Sequence, residues 1–188
     1  IINAYRGIEG RLAEIRFTVS MKNSYELIGN ALPKNEYLFA ENIEQTDWYK
    51  NIKKETFHLL YFRNQFLDEK EFENIVMKGC FPLLPVAAYL LLRISECAVQ
   101  NERTVFTFLA HKEPHSLAEF LEKHGENEIY MCADAIYDYF YYVFKHDNSN
   151  IRFHNEWLKA EYAINQVDTL EKIKIIKVLA LLRMVGKE

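Results

Sequence analysis

The chain has 188 residues, with 23 Lys+Arg against 27 Asp+Glu and a net charge of −4. Its 6 Gly and 4 Pro make up about 5% of it, less than half the usual ~12%, which argues against a sandwich or barrel of short strands. Apolar residues at 49% and aromatics at 14% exclude disorder as the main state, and the acidic balance excludes a uniformly basic nucleic-acid binder.

The first twenty residues stand apart. In Glu14–Ser20, Ile15, Phe17 and Val19 alternate with Arg16 and Thr18, the period of a strand. A lone strand must join a hairpin, a second copy or a sheet outside this chain. The pattern then turns helical. Ser24 can cap Tyr25–Leu32, which Pro33 stops. Asp47 precedes a long helix, Trp48–Phe66, and Asp68 caps Glu69–Lys78, with Gly79 as its C′ residue. Phe81-Pro-Leu-Leu-Pro85 leads into Val86–Gln100, apolar nearly all round and therefore central. Ser116-Leu-Ala-Glu119 is a capping box for Leu117–His124. Tyr130–Lys145, Phe153–Gln166 and Leu170–Val185 follow, the last opened by Asp168-x-x-Glu171 and closed by Gly186.

The fold expected is mainly α, a multi-helix bundle with one short N-terminal strand left over from a neighbouring sheet. Pro33–Asp47 is the expected boundary between 1–33 and the helical 34–188. Leu90, Leu91, Ile94, Phe106, Phe140 and Leu179 are the expected core. The longest apolar run, Val86–Leu92, is far short of the roughly 20 residues of a bilayer span, and no signal peptide is visible. Cys80, Cys97 and Cys132 read as reduced thiols of a cytoplasmic protein. The chain opens at Ile1 rather than Met, which suggests a piece of something longer.

Few residues carry chemistry. No phosphate-cradling Gly-x-x-x-x-Gly-Lys-Ser/Thr loop, dinucleotide fingerprint, nucleophile elbow or zinc-protease motif occurs. His111 and His115 are four apart, a spacing for metal on a helix, but Pro114 between them favours a polar loop. Phe66-Leu-Asp68-Glu69 could end a magnesium-binding strand, yet Asp68 reads better as an N-cap. The aromatic run Tyr137–Phe144 could stack bases but is spaced for core packing. Lys172, Lys174, Lys177 and Arg183 give the last helix a basic face, read as solvated rather than as a membrane or nucleic-acid surface. The polar corner Gln100-Asn-Glu-Arg-Thr104 between two apolar stretches is the best candidate site. Arg103 there offers a planar fork for phosphate or carboxylate, and Glu102 can orient it.

Phe81-Pro-Leu-Leu-Pro85, the apolar helix after it and Ala98-Val-Gln-Asn-Glu-Arg-Thr-Val-Phe-Thr-Phe-Leu109 together resemble a segment of large bacterial P-loop ATPases, the BREX-type phage-defence group. Glu9–Phe17 with Tyr25-Glu-Leu-Ile28, and Ile136–Phe140 with Trp157–Ala163, look similar in the same order. The resemblance implies an inner fragment: the last strand of a nucleotide-binding sheet, then a helical lid and interaction region that is not an enzyme in isolation. ATP and Mg would belong to the parent protein, with no cofactor in this chain. The partners implied are the rest of the ATPase and other ATPase subunits, DNA only through that complex, and no membrane. Arg11 matches an arginine that acts in trans on a neighbour's γ-phosphate, with Arg6 as second choice. Leu12 stands where the family tends to have Phe. Arg103 matches a nucleotide-sensing lid arginine, with Arg93 behind it. From the residues alone, a self-contained helical domain that binds a protein or nucleic acid is the alternative.

Overall fold

The computed structural model describes residues 20–97, 105–124, 130–146 and 150–186. Eleven helices run through them. α1 is Met21–Ala31, and α2 is Glu36–Phe39, which runs on as a π-helical turn over Ala40–Glu44. α3 (Asp47–Phe57) and α4 (Leu60–Arg63) come next, then α5 (Glu69–Phe72), extended by a π-helical segment over Glu73–Lys78. α6 is Pro85–Cys97, α7 Val105–Ala110 and α8 Leu117–His124. α9 (Asp134–His146), α10 (Ile151–Ile164) and α11 (Leu170–Val185) complete the bundle. The expected strand at Glu14–Ser20 lies, but for Ser20, outside the described residues. Among the described residues the nearest thing to a sheet is one parallel bridge, in which Met131 N donates to Pro82 O at 2.8 Å and Leu84 N to Met131 O at 3.1 Å.

The starts of the helices follow side-chain chemistry, often one residue away from the expected cap. Asp68 does cap α5, its carboxylate accepting from Glu71 N at 2.7 Å. Thr46 and Thr169, not Asp47 and Asp168, cap α3 and α11, and Ser20 rather than Ser24 caps α1. Extended backbone is what a cap needs, and the hydroxyl in that conformation is the one in reach of the orphan N–H. Ser116 Oγ accepts from Glu119 N at 3.3 Å. The return bond of that capping box goes from His115 N to Glu119 at 2.8 Å, because Ser116 N already donates to Glu113 O.

The predicted single helix over Trp48–Phe66 breaks at His58-Leu59. The break turns Phe62 fully inward, where its ring lies 5.0 Å from Phe72 and 6.3 Å from Tyr25. Gly79 was expected to end its helix in the left-handed conformation, but it has φ −57°. It is needed for space instead: a Cβ there would sit 2.0 Å from the Ile75 carbonyl oxygen.

α6 is the hub. It packs against α1, the π segment after α5, α7, α9 and α11. Ala87, Ala88, Leu90, Leu91 and Ile94 on it are wholly buried. Tyr137, Tyr139, Phe140, Val143 and Phe144 of α9 are also buried, so the aromatic run packs the core. Two expected core residues do not: Phe106 is 58% exposed and Leu179 is 54% exposed. Each lies two positions from a residue that the bundle does bury, Phe108 and Leu181. Two positions are about 200° around a helix, so the partner's burial turns the other outward.

Candidate functional site

The site built from described residues that lies closest to the sequence candidates is a groove of about 360 Å³ between α1, α6 and α7. α1 contributes Ser24, Leu27 and Ile28, α6 contributes Leu92, Ser95 and Glu96, and α7 contributes Val105 and Phe106. Leu27 is 50% exposed, and with Phe106 it leaves apolar surface open along the groove. Ser95 Oγ is buried there, with no hydrogen-bond partner among the described residues. Arg93 lies one turn back on α6, where its Nη1 donates to Glu96 at 2.6 Å. Burial raises the nearby Tyr25 phenol far above its ordinary value; Cys80, Tyr89 and Glu96 add to the shift and Arg93 opposes it.

Arg6, Arg11, Glu102 and Arg103 lie outside the described residues. What the structure does bring together is where their segments join the described fold. α1 begins directly after residues 1–19, and residues 98–104 connect α6 to α7. All three of these helices line the one groove. No sequence signal marked Leu27 as part of it.

The other candidates separate cleanly. His111 and His115 sit in the exposed turn between α7 and α8, with His115 at φ 65°, so they share no helical face. Three of the four cations on the basic face of α11 are paired with carboxylates. Lys177 grips both oxygens of Asp138 at 2.6 and 2.8 Å, Arg183 pairs with Glu156 at 2.8 Å, and Lys172 with Asp168 at 3.0 Å. Desolvation raises the carboxyl of Asp134 nearby, and Lys174 partly opposes it. Cys80 and Cys97 are free thiols, and burial pushes Cys80 up to about 12, an unreactive state at neutral pH. Among the described residues no helix is long and apolar enough to cross a membrane.

Against known protein families, curated proteins and solved structures, the chain finds no match.

Proposed function

We propose that this chain is the non-catalytic helical lid and interaction region of a larger, AAA+-like P-loop ATPase of the phage-defence kind, coupling nucleotide state to partner contacts. The observation that carries this reading is the groove between α1, α6 and α7, whose lining helices are continuous in sequence with both segments that hold the candidate arginines. An apolar groove that the described residues leave uncovered favours a partner surface, and in this reading the occupant is the nucleotide-binding core of the same ATPase. In this reading ATP and Mg bind that core, Arg11 acts across a subunit interface and Arg103 senses nucleotide in cis. A guanidinium suits both roles, because it stabilises charge that develops on the transferred phosphoryl group. The free thiols of Cys80 and Cys97 fit a cytoplasmic setting.

A self-contained helical domain that binds a protein is the second reading. It is favoured by the burial of Tyr25 and Ile28 of α1 in the same core as α6 and α9. The paired cations of α11 weigh against nucleic acid as that partner.

The coding sequence upstream of Ile1 separates the two, because the ATPase reading requires a Gly-x-x-x-x-Gly-Lys-Ser/Thr loop there. In that longer protein Arg11→Ala should slow ATP hydrolysis by about 10³-fold and leave nucleotide affinity nearly unchanged, since the guanidinium acts mainly on the transition state. A stop codon in place of the loop, or unaltered turnover in the variant, contradicts the proposal.

A further inference from the structure

We infer that the cleft between α1, α2 and the end of α5 binds a small organic monocarboxylate, with Lys34 as the partner of its anionic group. This goes beyond the proposed function and does not depend on it. The cleft has a volume of about 720 Å³, inside the roughly 300–1,000 Å³ range of small-molecule sites. At its floor Gly29 and Gly79 pack backbone against backbone. A Cβ on Gly29 would lie 3.3 Å from the Cα and the carbonyl oxygen of Gly79, and Gly79 itself has no room for one. Its walls include both π-helical stretches, through Ala40 and Glu44 on one side and Asn74 and Lys78 on the other. Such turns are rare and occur frequently at functional sites. Two of them face one cleft here.

The charges define the ligand. Lys78 is already paired with Glu44 at 2.8 Å, so it has little to offer an anion. Lys34 is different. Its Nζ donates to the Gly79 carbonyl at 2.5 Å, and among the described residues no carboxylate forms a salt bridge with it. Burial lowers its pKa, with Cys80 and Glu36 opposing, which marks an ammonium partly stripped of water. An ammonium has three N–H donors, so two remain for a carboxylate. Glu36 also lines the cleft and repels a second negative charge, which favours a carboxylate over a dianionic phosphate. Leu32, Pro33 and Phe39 give the body of the ligand an apolar wall.

Three probes of one shape and different charge test this: benzoate, the neutral benzamide and the dianionic phenyl phosphate. Each is titrated into the ¹⁵N-labelled chain at neutral pH and constant ionic strength while the backbone amide resonances are followed. Benzoate should move the amides of Gly29, Asn30 and Gly79 saturably, and benzamide should bind at least about tenfold more weakly, a difference of ~1.4 kcal/mol. Phenyl phosphate should bind more weakly than benzoate. Lys34→Met should lose benzoate by a similar factor, and Lys34→Arg should stay within about threefold of the parent. Equal binding of benzoate and benzamide, tighter binding of phenyl phosphate, undiminished benzoate binding by Lys34→Met, or no saturable shift with any probe would each overturn the assignment. Lys34 also caps the carbonyl end of the α5 extension, so Lys34→Met can unfold. The benzoate–benzamide comparison on the unaltered chain then decides.

Discussion

α6 and α11 are both rich in aliphatic side chains, yet the fold treats them differently. α6 has neighbours from both halves of the chain, and Leu90, Leu91 and Ile94 have no exposure at all. α11 rests on α6, α9 and α10, buries Ala180, Leu181, Met184 and Val185, and leaves Ile175 and Leu179 more than half exposed. The difference teaches that apolar content sets how much a helix can bury, while its position in the bundle decides which residues are covered. Ion pairs rather than apolar contacts hold the outer side of α11, through Lys177 to Asp138 and Arg183 to Glu156.

The sharpest way to break this contrast is a pair of truncations. Leu91→Ala should lower unfolding stability by about 2–5 kcal/mol, the range for cavities left in packed cores. Urea denaturation of that variant at the parent's midpoint would put α6 at the surface.

Acid should weaken the ion-paired elements. Glu71 is held below its ordinary carboxyl value of 4.5 first by a hydrogen bond from Lys22, then by the Leu67 N–H. Glu156 is held down first by Lys159 and also by Arg183, and Glu119 first by Lys123 and then by the His115 N–H. These carboxyls take up protons less readily in the folded chain than in the unfolded one. Their contribution is therefore complete above about pH 4.5 and is lost as the pH falls through their lower folded values. Asp134, raised by burial, acts the other way, but it is one group against three. Tm should hold steady from about pH 7 to 5 and then fall; a Tm that rises on acidification below pH 5 would contradict these assignments. The smallest effect belongs to the other truncation. Leu179→Ala should stay within about 0.5 kcal/mol of the parent, as exposed positions do, and a loss as large as that of Leu91→Ala would erase the contrast.

Much of the bundle was legible from local signals. Leu117–His124 and Leu170–Val185 match α8 and α11, because a cap and a stop act within a few residues. The exposure of Phe106 and Leu179 was not, since apolar content alone does not say which side of a helix will find a neighbour. The break at His58-Leu59 was also hidden, because it depends on Tyr25 and Phe72 being there to receive Phe62. For the site, the sequence pointed to the corner between α6 and α7 but could not see α1 beside it. The cleft at Lys34 was invisible for the same reason: Lys34 meets the Gly79 carbonyl only after α1 docks on the end of α5.

The proposed coupling of nucleotide state to contacts through the groove of α1, α6 and α7, and not through the outer face of α11, can be read by hydrogen exchange. The experiment follows backbone amides of the proposed parent ATPase with and without a non-hydrolysable ATP analogue. Slowed exchange is expected across residues 24–28, 92–97 and 105–110, with none at 173–179, where exposure of apolar side chains is similar but no candidate segment joins. Unchanged exchange at the groove, or equal slowing at both places, would contradict the account.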